Sequence, residues 1–291
     1  MIHQDPVYGA FQVEGILEAL VQTPAFQRLK RIHQGGVYIL VDPEIQQTRY
    51  EHSLGVMRLT QLLGGDLENQ IAGLLHDISH TAFSHLVDYV LENEEEDYHD
   101  GLYAQTLQQP EIQEAFRQYG FQVEDFEDLH RFPMLEAALP ALSTDRIDYT
   151  LRDLFHLGWL ERDEIPGFLA GLMILDGHVV CRDRQTAQWF QLKYDLLILD
   201  YFQSRKNLAI NLYMRDLLQK LFKEGKLELA DFAGDDVGLM EKITFHLGDD
   251  WRKNAVKADQ LVEIPEKIPF KQRKIDPPVS HQGKAIPLSE L

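Results

Sequence analysis

Residues 71–85, IAGLLHDISHTAFSH, constrain this chain more than any other stretch. Ile71 to Leu75 is an apolar run that delivers an adjacent His76-Asp77 pair. His80 follows four residues after His76, and His85 five after that. Positions four apart share a helix face, which predicts His76 and His80 on one side, with Asp77 about 100° round. An imidazole beside a carboxylate at the end of a buried helix is a common way to hold a divalent metal. The plainer alternative is a set of polar residues at an ordinary helix end. Against it, His52, His76, His80, His85 and His99 crowd into 52–99, in a chain with 12 histidines.

Most of the remaining sequence carries helical apolar spacing. An extended arm with turn chemistry at Asp5-Pro6 and Gly9 precedes a helix predicted over 13–22. Thr23-Pro24 reads as N-cap and first residue of a helix reaching about His33. Val37–Val41 is short, β-branched and aromatic, which predicts a strand. Helices are expected over 48–63, 67–77, 81–91, 99–108 and 111–118, and from Asp145 to the stop at Gly158. Leu172–Leu175, Val179–Cys181 and Trp189–Leu192 predict a hairpin or three-stranded ribbon. A long helix over Tyr194–Lys223 and a weaker one over 237–246 follow. From Pro265 the chain is rich in Pro and Lys and is expected to lie across the surface or be disordered. The fold class is mainly α, a helical bundle with a small β-ribbon and a C-terminal helical extension. The expected division is a core over 1–165, a ribbon plus long helix over 166–250 that completes a pocket, and a tail over 251–291.

Charge narrows the function classes. The net charge is −19, and 251–291 alone carries +3, which leaves −22 on the first 250 residues. Nucleic-acid binding needs a basic footprint and is disfavoured. A small anionic substrate is compatible, because a metal and a few arginines can reverse the sign inside a cleft. No apolar run approaches the roughly 20 residues of a membrane span. The N-terminus lacks a basic segment followed by an apolar one, so no signal peptide is expected. Cys181 is the only cysteine, which excludes an intrachain disulfide and makes a cytoplasmic setting the expectation.

His52, His76, Asp77 and Asp145 each fall at or near an end of an apolar helix, so they can converge in a bundle core. Neutral imidazoles and carboxylates suit one divalent ion: Fe, Mn, Zn, Ni or Mg. Asp145, Tyr149 and Asp153 are spaced i, i+4, i+8 and share one helix face. Asp148 and Arg152 read as an ordinary i, i+4 ion pair. His33, His130, His156, His178 and His246 read as structural.

Several motifs in order resemble the HD-domain phosphohydrolases, in the branch of the SAM-and-HD-domain deoxynucleoside triphosphate triphosphohydrolase and its compact bacterial relatives. They are DPVYG (5–9), TPAFQRLKRIHQGG (23–36), TRYEHSLGV (48–56), LLHDISHTAFSH (74–85), His99 and DRIDYTLRDLFHLG (145–158). The resemblance implies an HD-domain bundle with His52, His76, Asp77 and Asp145 as metal ligands. It implies that His85 and Asp88 protonate the leaving oxygen, with His80 and His99 beside the scissile phosphate. It further places Arg49 and Arg146 on phosphate, Tyr149 on the sugar face, and Gln34 and Asp153 on the sugar 3′-hydroxyl. The implied activity is dNTP hydrolysis to nucleoside and triphosphate, with water attacking the α-phosphorus and His85 as general acid. The alternatives are a phosphatase or phosphodiesterase on another small phosphate ester, or a nucleotide-binding regulator without turnover. The expected partner is therefore a small anionic nucleotide or phosphate ester, and a homo-oligomer stays open. Departures from the branch are Gly35 for Leu, Gln22 and Lys30 for the guanine-reading Asp and Arg, Arg146 for Lys, and Gln203-Ser204 for a His-Lys pair. Base and polyphosphate specificity are where these departures fall.

Overall fold

The computed structural model describes residues 1–266 and 273–291; residues 267–272, part of the expected tail, lie outside the described residues. Ile2–Asp5 (β1) and Gly9–Gln12 (β2) form an antiparallel hairpin with Asp5 opposite Gly9. The arm expected to be merely extended is thus paired. Its turn is held by Asp5, whose Oδ1 accepts from Val7 N and Tyr8 N at 2.8 Å each. Ile16–Val21 (α1) and Pro24–Arg28 (α2) follow, α2 with Thr23 Oγ1 accepting from Phe26 N and Pro24 at its start. Gly36–Leu40 is a 3-10 turn, not the expected strand. Val37 and Tyr38 are buried by packing rather than by a ladder, the Tyr38 ring standing edge-on 4.9 Å from Tyr201.

Arg49–Leu62 (α3) starts with a complete capping box, Thr48 and Glu51 each accepting from the other's backbone N–H. Leu67–Leu75 (α4) is capped by Asp66 and runs against α3. The expected helix over 81–91 begins only at Leu86, as Leu86–Leu91 (α5). Asp100–Leu107 (α6), Pro110–Tyr119 (α7) and Thr144–His156 (α8) follow, α8 with Ser143 Oγ accepting from Arg146 N.

Beyond Glu164–Ala170 (α9), Leu172–Leu175 (β3) and His178–Cys181 (β4) pair as expected. Trp189–Leu192 is not a third strand; it lies within Arg184–Leu196 (α10). The buried Ala187, Phe190 and Tyr194 are spaced three and four apart, and Asp183 caps the start, so the helical period governs. The long helix is broken by a π-helical turn, Leu197–Phe202, before Arg205–Lys223 (α11). Asp236–Leu247 (α12), Asp250–Ala255 (α13) and Ala258–Leu261 (α14) lead to a second hairpin, Pro278–His281 (β5) and Lys284–Pro287 (β6). β5 runs parallel to β4 through Cys181 and Val279, giving the order β3-β4-β5-β6. The chain end, expected to lie across the surface or be disordered, therefore completes a sheet.

Two apolar clusters organise the interior. One gathers α1, α2, α4 and α7 around Phe26, Leu74 and Phe116; the other gathers α5, α8, α10, α11 and α12 around Leu151, Phe190 and Ile210. α3 serves both, with Tyr50, Leu54 and Val56 in the first and Leu59 in the second. Each such fully buried Leu or Val stabilises the fold by about 1.5–3 kcal/mol. His52 therefore sits on a helix clamped from both sides. Among the described residues no helix is long and apolar enough to cross a membrane.

Candidate active site

Three helices deliver four donors to one point. His52 comes from α3, His76 is the residue that ends α4, Asp77 follows it, and Asp145 lies in the first turn of α8. His52 Nε2 is 3.2 Å from His76 Nε2, 3.1 Å from Asp145 Oδ1 and 3.5 Å from Asp77 Oδ2. His76 Nε2 is 3.5 Å from Asp77 Oδ1 and 3.6 Å from Asp145 Oδ1. Donor atoms bonded to one ion at about 2.1 Å stand roughly 3.0–3.4 Å apart, so this spacing fits a single divalent metal. The far nitrogens fit as well. His52 Nδ1 donates to Asp148 Oδ2 at 2.8 Å and His76 Nδ1 to Gly73 O at 2.9 Å. Both Nε2 lone pairs are thereby aimed at the shared point. With a divalent ion bound, both lone pairs are available to it at that point.

Electrostatics agree. Burial works against charge on both rings, yet the carboxylates around them prevail: His52 is pushed up to about 9, and His76 is raised too. Against burial, Arg49 holds the Asp77 carboxyl well below its usual range, with Arg49 Nη1 2.6 Å from Asp77 Oδ2. Against burial again, bonds to His52 and His76 lower Asp145. Carboxylates that raise imidazoles in this way leave negative charge that a metal cation neutralises. The donor set fits a divalent metal, which His52, His76 and Asp77, with Asp145 beside them, could hold.

A second histidine group adjoins the first. His80 reaches Asp77 Oδ1 at 3.2 Å, but through an irregular turn, since α4 stops at Leu75; the shared helix face expected for His76 and His80 is not how they meet. His99 stacks on His80 with centroids 3.8 Å apart, and His85 stands edge-on to both at 5.0 and 5.3 Å. Burial, then Arg49 and His99, hold His80 well below its usual value; burial, then His85, push His99 down to about 3. Both rings are neutral at pH 7. His85 Nδ1 lies 3.4 Å from Asp88 Oδ2, and the other Asp88 oxygen accepts from Asn93 Nδ2 at 2.7 Å and Tyr98 N at 3.0 Å. Phe83 and Ser84, just before His85, adopt left-handed φ of 56° and 57°. Such non-glycine residues cost about 1–3 kcal/mol each and persist only where their surroundings enforce them.

These groups open on a cavity of about 630 Å³, a size that takes a small ligand. Gln34, Arg49, Arg146, Tyr149 and Asp153 all line it, as do His76, Asp77, His80, His85, His99 and Asp145; His52 and Asp88 lie behind the wall. Asp145, Tyr149 and Asp153 share the expected face. Gln34 Oε1 is buried without a hydrogen-bond partner among the described residues. Asp153 Oδ1 accepts from Gln47 Nε2 at 2.9 Å, and burial pushes its carboxyl up to about 6. Tyr149 Oη is 3.2 Å from Tyr194 Oη. Arg49 Nε also donates to Ser84 Oγ at 3.0 Å. Arg146 Nη1 donates to Ala141 O at 2.5 Å and to Ala137 O at 3.2 Å.

Sequence reasoning passed over the support beneath this site. Asp148 and Arg152 form the expected i, i+4 ion pair, and it is a buried one: both are 0% exposed. Arg152 Nε and Nη2 donate to the two Asp148 oxygens at 2.9 Å, and Nη2 lies 3.1 Å from Asp5 Oδ2. Asp148 in turn fixes His52. Gly55 admits this pair to α3, because a Cβ there would stand 1.9 Å from Arg152 Nη2. The usable signal was Asp148 three residues after a ligand in the helix, together with an aspartate in the N-terminal DPVYG. Gln47 and Tyr201, which meet Asp153 and Gly35, carried no comparable signal.

The HD domain family matches residues 49–153, which span all four donors. The uncharacterized protein YdhJ of Bacillus subtilis is 39% identical over 233 residues, 80% of this chain and 72% of that one. The metal-dependent phosphohydrolase cns2 of Cordyceps militaris is 36% identical over 173 residues, 58% of this chain and 49% of that one. Deoxynucleoside triphosphate triphosphohydrolase SAMHD1 of Gallus gallus is 36% identical over 102 residues, 30% of this chain and 17% of that one. This chain thus spans about half of the second protein and a sixth of the third. With the HD match lying over the helices that gather the four donors, and with likeness to YdhJ running through most of both chains, this protein belongs to the HD-domain family of metal-dependent phosphohydrolases.

Proposed function

We propose that this chain hydrolyses a nucleotide, with a deoxynucleoside triphosphate cleaved to nucleoside and triphosphate as the first reading. The observation that carries it is one cavity lined by two chemically different groups: His76, Asp77 and Asp145 with His80, His85 and His99, and Gln34, Tyr149 and Asp153. A divalent ion held by His52, His76, Asp77 and Asp145 supplies charge neutralisation for a phosphoryl group and activation of water. Arg49, fixed between Asp77 and Ser84, adds a positive edge to the same floor. His85, backed by Asp88, is the group that gives a proton to the leaving 5′-oxygen, a basic alkoxide that departs poorly without one. Gln34 and Asp153 take the sugar hydroxyl, and Tyr149 covers the sugar face.

A second reading, a monophosphate ester, is favoured by one observation. Arg146, the cation expected on the polyphosphate, already donates to the carbonyls of Ala137 and Ala141. The two readings part in one experiment. The metal-loaded chain is given dNTPs, nucleoside monophosphates and p-nitrophenyl phosphate, with triphosphate and orthophosphate release measured separately. Triphosphate release from a dNTP is expected. Orthophosphate from monophosphates alone selects the second reading. No release with Fe, Mn, Zn, Ni or Mg overturns both.

A further inference from the structure

Asp236 lies 83 residues beyond the end of the HD match, at the start of α12, and is 0% exposed. Its two carboxylate oxygens grip two different loops of the cavity wall. Oδ2 accepts from His33 N at 2.9 Å and meets His33 Nδ1 at 2.7 Å; Oδ1 accepts from Phe83 N at 2.6 Å. His33 adjoins Gln34. Phe83 is the first of the two left-handed residues that bring the chain to His85. The loops also touch each other. Ser84 Oγ donates to His33 O at 2.7 Å, and a Cβ on Gly36 would stand 2.8 Å from Phe83 O. The segment before α12 adds to the grip: Ala82 N donates to Phe232 O at 2.9 Å, and Arg28 ties Gly234 O to Ile78 O.

We propose that Asp236 is a positioning residue, which holds the Gln34 loop and the His85 loop in register so that Gln34 and His85 address one substrate. The role rests on the reading of His85 and Gln34 given above. A carboxylate is required because it offers acceptors on both sides to donors that come from both loops. Asparagine offers one acceptor and one N–H donor, so one loop always meets a donor facing a donor. The left-handed turn at Phe83 and Ser84 then loses a contact that enforces it, and His85 shifts. Misplacement on the scale of 1 Å at a catalytic group lowers rate by about a hundredfold.

The test compares the full-length, metal-loaded wild type with Asp236→Asn and Asp235→Ala. Asp235 caps α12 and pairs with Arg31 at 2.6 Å, in the same junction but away from both loops. Metal content, melting temperature, and kcat and KM on the hydrolysed nucleotide and on p-nitrophenyl phosphate are measured. Asp236→Asn is expected to keep its metal and lose about tenfold to a hundredfold in kcat on the nucleotide. The loss on the nitrophenyl ester is expected to be smaller, since that leaving group needs no proton. Asp235→Ala is expected to melt lower and turn over normally. Should Asp236→Asn not fold, His33→Gln carries the test: it keeps the backbone bond and removes the ring contact, and KM for the nucleotide is expected to rise several-fold. Normal kcat and KM in Asp236→Asn, an unchanged KM in His33→Gln, or losses that follow melting temperature equally in both junction variants overturn the proposal while leaving the reaction standing. A wild-type chain inert on every substrate overturns the reaction and this role together.

Discussion

Two sets of histidines in and behind the cavity wall are held in opposite ways. His52 and His76 have their outer nitrogens bonded to Asp148 and to a helix carbonyl, so ring orientation and tautomer are set before anything binds. His80, His85 and His99 each have a buried Nδ1 with no hydrogen-bond partner among the described residues. Ring contacts, a stack and two edges, place them, with one carboxylate near each: Asp77 at 3.2 Å, Asp88 at 3.4 Å and Asp100 at 3.2 Å. Ring contacts fix position but not tautomer. The first set is built to hold one cation in one geometry. The second leaves an Nδ1 on each ring without a hydrogen bond, which suits groups that meet a substrate and exchange a proton with it. The difference has a structural origin: the first set stands on the long helices α3 and α4, the second on the irregular 76–85 segment and the short helix starts at 85 and 99.

Removing one member from each set breaks the comparison most directly. His76→Ala is expected to abolish both metal stoichiometry and turnover, measured by elemental analysis alongside activity. His85→Ala is expected to keep its metal and its nucleotide affinity but lose roughly two to four powers of ten in kcat. Its loss on p-nitrophenyl phosphate should be much smaller. If His76→Ala retains metal, or if His85→Ala loses it, the two sets do not divide the work in this way. A finer cut is Asp148→Asn. It leaves all four donors in place and removes the charge that orients His52 and pairs with Arg152, so metal affinity should fall about tenfold to a hundredfold. Competition with a chelator measures it, and unchanged affinity means that the Asp148–Arg152–Asp5 chain is only structural.

The same contrast explains what could be read from the sequence. Apolar spacing marked α4 and α8, and with them the donors they carry, because an amphipathic helix announces its buried face; α3, buried on nearly every side, showed through its apolar run and its cap. The Thr48 and Ser143 caps lie where helix chemistry places them. Short irregular pieces gave no such period. Val37–Val41 looked like a strand because buried residues in a tight turn share strand composition. Trp189–Leu192 was too short a window to show the helical period of α10. The His85 loop looked helical because nothing local reveals that Asp236, 153 residues away, bends it at Phe83. Asp148 and Arg152 were seen as a pair, but spacing alone does not say that a pair is buried. The hairpin of β5 and β6 depends on a partner edge at β4 far back in the chain, which composition cannot disclose.

Asp153 tests the boundary between committed and uncommitted groups, with the smallest expected effect. One oxygen is committed to Gln47, yet burial raises the carboxyl from 3.8 to about 6. A carboxyl whose folded value lies above its unfolded one opposes folding when ionised. The penalty is absent below about pH 4, grows between 4 and 6, and is complete above 6. Asp153→Asn keeps an acceptor for Gln47 and carries no charge. It should therefore leave stability unchanged at pH 4 and raise it at pH 8 by on the order of 2 kcal/mol, a gain of a few degrees in melting temperature. The same variant should raise KM for a nucleotide if Asp153 receives the sugar hydroxyl as proposed. Melting curves of both metal-loaded proteins at half-unit steps from pH 4 to 8 measure the gap. A gap that widens through pH 6 means that Asp153 is kept in place at a cost to the fold, as a residue held for a ligand would be. A gap that stays flat, or an Asn variant that is less stable at pH 8, means that Arg49 and His52 already balance the ionised form; Asp153 then belongs with the committed set.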